Sequence, residues 1–97
     1  MRSVYISGPM TGLPDYNYPA FHDAAARLKT NGFDPVSPTS IGQHDGWTWD
    51  DYMARAIELQ KGCDGVYMLP GWRRSRGATV EFYVAQALGQ RVWGAAT

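Results

Sequence analysis

The sequence predicts an α/β fold: a small Rossmann-like or flavodoxin-like three-layer sandwich with a four-stranded parallel sheet and about three helices. Three observations predict it. Short β-branched and aromatic runs alternate with longer segments of helical periodicity along the whole chain. Each helical segment separates two strand-like runs, as a crossover returning parallel strands to one sheet must. The 97 residues, 44% apolar and 19% charged, carry no low-complexity tract, repeat or linker, which suits one folded domain over 1–97.

The elements follow in order. "SVYIS" (3–7) is a strand that runs into "GPMTGLPDYN", a loop crowded with Gly, Pro, Asp and Asn. Residues 18–31 place Phe21, Ala24, Ala25 and Leu28 three and four apart and stop at Asn31-Gly32, an amphipathic helix with its C-terminal signal. "FDPVSP" (33–38) is a short second strand, followed by the polar loop "TSIGQHDGW". Residues 48–62 open with a Thr cap and two aspartates in the first turn, then carry apolar residues at 49, 52, 53, 56 and 59, a second helix. "CDGVYMLP" (63–70) is a mostly apolar strand buried on both faces, a third helix spans about 75–88, and "QRVWGA" (90–95) is the last strand.

The totals exclude several function classes. Nine basic residues balance nine acidic ones, so no global charge draws the chain to nucleic acid or to an anionic membrane, and any anion affinity is local. The apolar runs fall far short of the ~20 residues that span a bilayer, and "MRSVYISGPM" lacks the apolar core of a signal peptide, so a cytoplasmic location is expected. Cys63 is the only cysteine and reads as a small buried residue at a strand start. Neither His22 nor His44 has a partner at metal-ligand spacing, so no metal and no cofactor is implied.

Ligands of open parallel sheets bind beyond the carboxyl ends of the strands, where the strand order reverses. The segments after the first and third strands, "SGPMTG" and "PGWRRSRGATVE", are therefore expected to face one crevice. The glycines of the first, Gly8 and Gly12, permit close backbone approach on either side of Met10, although the spacing matches neither the dinucleotide fingerprint nor the P-loop. In the second, Ser75, Gly77 and the amides opening the third helix could hold an anion, with Arg73, Arg74 and Arg76 adding charge.

Glu81 stands one to two turns into that helix, on the same stripe as Gly77 and Ala78. Most helix glutamates are solvated surface charges. Against that reading, Glu81 is one of only two glutamates and lies among Val80, Phe82, Tyr83, Val84 and Ala85, and a carboxylate set in apolar surface acquires a shifted pKa or a ligand. Asp64 falls at the amino end of its strand, away from the crevice, and reads as structural. Tyr16, Trp47, Trp49 and Trp72 suit either base stacking or the closing of a core or a dimer contact.

The segments "VYISGPMTG", "NYPAFHDAAARLKTNGFDPVSP" and "CDGVYMLPGWRRSRGATVEFYVAQALG" together resemble a small phage-associated domain family within the nucleoside 2-deoxyribosyltransferase superfamily, and the likeness covers nearly the whole chain. Its better known members are deoxyribosyltransferases and 2′-deoxynucleoside 5′-monophosphate N-glycosidases. The resemblance implies Glu81 of "GATVE" as nucleophile, Ser75 and Gly77 as holders of a 5′-phosphate, and Tyr5 and Gly8 as matches for a tyrosine and glycine of the first strand and loop. The ligand implied is a nucleotide or nucleoside, with Met10, Gly12 and Arg76 as further contacts and a homo-oligomer completing the pocket.

One position departs from the pattern. Relatives carry an aspartate on the second helix, eight residues before the strand aspartate, that protonates the leaving base or orients the sugar; here that position is Ala56. Asp51 and Glu58 lie on other faces of the helix. Three readings follow: a glycosidase or transferase with Tyr5 or another group as acid, a module that captures a nucleotide or nucleotide-derived signal without turnover, and a purely structural or interaction domain.

Overall fold

The computed structural model describes residues 2–97. Four strands, β1 (Ser3–Ser7), β2 (Asp34–Val36), β3 (Gly65–Met68) and β4 (Arg91–Gly94), alternate with three helices, α1 (Tyr18–Thr30), α2 (Trp49–Lys61) and α3 (Arg76–Leu88). All strand pairs are parallel and the sheet order is β2-β1-β3-β4. The fold class is the expected one. The strand order reverses between β1 and β3, so the crevice opens there.

Alternation along β1 distributes the core. Val4 and Ile6 pack on α1 with Phe21, Ala24 and Leu28, whereas Tyr5 points to the other face, where Val66, Met68, Ala56, Ala78 and Ala85 form a second cluster under α2 and α3. The sheet is thus the middle of three layers. Among the described residues no helix is long and apolar enough to cross a membrane.

The helix ends follow their sequence signals. Thr48 caps α2 through a reciprocal capping box with Asp51, and Ser75 caps α3 by accepting from the Ala78 N–H at 3.1 Å. Gly89 closes α3 in the left-handed region at φ 69°. β1 has the expected bounds, and β2, β3 and β4 are shorter than expected. β2 covers only three residues of 33–38 and ends where Pro38–Ile41 turns into a short 3₁₀ segment; Pro35 within it has no N–H to donate, which suits its place at the sheet edge. Cys63 and Asp64 precede β3; Asp64 accepts the Ser3 N–H through Oδ2 at 3.1 Å, tying the amino ends of β1 and β3.

Candidate functional site

The residues after β1 and β3 meet at the carboxyl end of the sheet. Gly8 crosses Leu69 so closely that a Cβ there would lie 2.7 Å from the leucine Cβ, so this junction requires glycine for packing. Beyond it opens a cavity of about 290 Å³, near the lower end of small-molecule sites. Gly8 and Met10 line one side, and Ser75, Gly77, Ala78 and Glu81 another. The third wall is α2, with Trp49, Tyr52, Met53 and Ala56, and the approach carries Thr11, Tyr16, Tyr18 and the 38–43 segment.

Glu81 lies at the sheet side of this cavity and is only 5% exposed. Two hydroxyls of β1 hold its carboxylate: Tyr5 donates to Oε2 at 2.6 Å and Ser7 to Oε1 at 2.7 Å. Both donors come from one strand face because residues i and i+2 point the same way. Burial pushes the Glu81 carboxyl up to about 7, against the pull of these two hydrogen bonds, which favour the charged form. Burial, and then the neighbouring carboxylate charge, hold the Tyr5 phenol well above its usual range. Tyr5 is therefore a fixed donor to Glu81, and a poor source of protons for a ligand.

Gln60 steadies the backbone behind this carboxylate. It is fully buried on α2 and donates through Nε2 to the Glu81 carbonyl at 2.8 Å and to Gln90 Oε1 at 3.2 Å, joining α2 to the middle of α3.

The start of α3 supplies the polar end of the cavity. Ser75 Oγ accepts the Ala78 N–H, and its own hydroxyl hydrogen stays free to donate. The N–H groups of Arg76 and Gly77 belong to the first turn, whose donors have no partner within a helix. At Gly77 a Cβ would stand 3.2 Å from Met53 Sδ, so glycine keeps α2 and α3 close without closing the space between them.

Other expected residues stand elsewhere. Gly12 turns the exposed loop at φ 83° and does not line the cavity. Arg76 is exposed and lays its guanidinium 3.9 Å over the Trp49 ring instead of entering. Tyr5 does not line the cavity and touches it only through its hydrogen bond to Glu81. Trp49 and Tyr16 line the cavity, Trp72 is buried with its indole N–H bonded to the Ala95 carbonyl, and Trp47 stacks on His44. Asp51 is spent on the α2 capping box and Glu58 pairs with Arg55, both on the exposed side, so neither replaces a carboxylate at Ala56.

Ser7, Gln60, Tyr18 and Tyr52 were not among the expected site residues. Ser7 carried a legible signal, a hydroxyl at the same strand parity as Tyr5. Gln60 carried none, since its role depends on the distance between α2 and α3.

Residues 2–93 match the family described as a domain of unknown function, DUF4406. The chain belongs to the DUF4406 family. Two solved structures share the fold of this DUF4406 chain. A 2-desoxiribosyltransferase from Leishmania mexicana superposes with a TM-score of 0.73 at 20% identity, covering 97% of this chain and 63% of its own. A 2-deoxyribosyltransferase from the psychrotolerant bacterium Bacillus psychrosaccharolyticus gives a TM-score of 0.74 at 15% identity, covering 95% and 70%. The DUF4406 chain thus spans less than two thirds of the Leishmania protein, and at these identities the likeness is one of fold. No curated protein matches the sequence.

Proposed function

We propose that this DUF4406 chain cleaves or transfers at the N-glycosidic bond of a nucleoside 5′-monophosphate or nucleoside, with Glu81 as nucleophile. The observation that carries the proposal is the Glu81 carboxylate, held by Tyr5 and Ser7 at the side of a cavity whose other end is the amide-rich start of α3. Departure of a base leaves positive charge on C1′, which a buried carboxylate stabilises or captures as a glycosyl ester. Ser75, Gly77 and the first-turn amides would hold the 5′-phosphate and so fix C1′ over Glu81. The deoxyribosyltransferase fold of the two solved relatives supports the same reading.

A second reading, capture of a nucleotide or nucleotide-derived signal without turnover, is favoured by Ala56, which puts a methyl group where a second carboxylate would serve. We also propose a cytoplasmic location and a homo-oligomer, the latter supported by the exposed Leu13, Tyr83 and Leu88 and by the open approach to the cavity.

The test is incubation with nucleoside and deoxynucleoside monophosphates bearing unmodified and N-alkylated bases, with chromatography for released base, wild type beside Glu81→Ala. Release that depends on Glu81 supports the first reading. Release that survives the substitution sinks the nucleophile. No release, with a rise in melting temperature on adding one nucleotide, establishes the second reading.

A further inference from the structure

We propose that the cavity takes an N-glycoside whose base is already cationic at the nitrogen bonded to C1′ or in the same ring system, a pyridinium or N7-alkylated purine nucleotide. The inference rests on the glycosidic reading above. It starts from the acids within reach. Among the residues lining the cavity, Glu81 is the single carboxyl group, and there is no histidine, lysine or arginine. Ala56 presents a methyl group, Asp51 closes its own helix cap, and Glu58 pairs with Arg55 on the exposed side. The Tyr52 hydroxyl is engaged twice, donating to the His44 carbonyl at 3.1 Å and accepting its N–H at 2.8 Å. Tyr16 and Tyr18 offer only phenols, a weakly acidic class at neutral pH.

A neutral purine or pyrimidine departs as an anion unless something protonates it, and a positioned acid supplies roughly 10²–10⁴ of the rate. A cationic base needs no such group. A Glu81 oxygen forms a bond to C1′ as the C1′–N bond breaks, and the bonding electron pair neutralises the ring cation, so the base leaves uncharged. Water then attacks C1′, the ester C1′–O bond breaks with its electron pair returning to the Glu81 carboxylate, and the water proton passes to solvent.

The walls suit such a ring. Tyr16, Tyr18, Trp49 and Tyr52 present aromatic surface, which attracts a cation over the ring face. Trp49 already carries one planar cation, the Arg76 guanidinium at 3.9 Å. No lysine or arginine is among the lining residues and Glu81 is the one charged group there, whereas the Arg76 guanidinium stays on the Trp49 ring.

The test pairs substrates that differ only in base charge: 7-methylguanosine 5′-monophosphate against GMP, and the 2′-deoxy forms of both, with nicotinamide mononucleotide as a pyridinium probe. Rates of base release are read above those of Glu81→Ala. The expected result is release from a cationic member at least about a hundredfold faster than from its neutral partner, the lower side of what a missing acid costs. A smaller ratio overturns the inference while leaving the glycosidic reading standing. Absence of Glu81-dependent release from every compound overturns both. In Ala56→Asp the new carboxyl is expected to raise release from GMP or dGMP selectively. An equal rise for both members of a pair contradicts the inference, and the wild-type ratio decides alone if this variant does not fold.

Discussion

Burial raises the Glu81 pKa, and two hydroxyls oppose it. Ser7 and Tyr5 each occupy one carboxylate oxygen, and both favour the ionised form against the burial that drives the group to about 7. A hydrogen bond to a charged group contributes about 1.5–3 kcal/mol, so losing the Ser7 donor is expected to raise the Glu81 pKa by roughly one unit or more. If the carboxylate is the nucleophile, base release in the wild type rises with pH through about 7. In Ser7→Ala the rise moves to higher pH, with near wild-type rates on its alkaline side. An unmoved profile with a uniformly lower rate would mean that Ser7 only fills space. Glu81 drew notice in the sequence as a carboxylate among apolar neighbours. Of its two donors Tyr5 was already singled out, whereas Ser7 was passed over despite sharing its strand parity, because a serine ending a strand also looks like the start of a loop.

At the scale of the elements, the loop between β1 and α1 departs most from ordinary geometry. Asp15, Tyr16 and Asn17 all have positive φ, at 52°, 51° and 62°, in a region that costs most residues roughly 1–2 kcal/mol each. Asn17 anchors this left-handed turn by donating through Nδ2 to the Pro9 carbonyl at 3.0 Å, and the turn presents Tyr16 to the cavity. Asn17→Ala removes the bond and substitutes a residue less tolerant of that conformation. A loss of about 1–2 kcal/mol in urea unfolding is expected, with weaker nucleotide binding. Asn17→Gly restores the backbone freedom without the anchor and should recover part of the stability. A wild-type midpoint in Asn17→Ala would show that the turn is held by something else. The sequence marked this stretch only as a loop, since Gly, Pro, Asp and Asn announce a turn without stating its hand. The helices were far more legible: Asn31-Gly32 and Thr48 are local signals that act within a few residues.

At the scale of the whole molecule, the buried carboxylate works against folding. A chain of 97 residues has on the order of 5–15 kcal/mol of net stability. Glu81 titrates near 4.5 when unfolded and near 7 in the fold, so the folded state binds the proton more tightly. Its contribution is therefore fully present below about 4.5 and is lost as pH rises through about 7, a change on the order of 3 kcal/mol. Strand alternation, crossovers and caps made the architecture readable from sequence, but this cost depends on how completely β1, α2 and α3 exclude water from one residue. Glu81→Gln keeps the size and lets Tyr5 and Ser7 remain hydrogen-bonded, while removing the charge. At pH 8 this variant is expected to melt on the order of 10 °C above the wild type, with the gap closing toward pH 5. A gap independent of pH would assign the difference to packing. A pH-dependent gap in a variant that has lost base release would mean that stability is given up to keep a carboxylate where the ligand sits, the pattern of a site selected for chemistry. The same gap in a variant that binds nucleotide as well as the wild type, where neither releases base, would tie the charge to the folding penalty alone and favour capture.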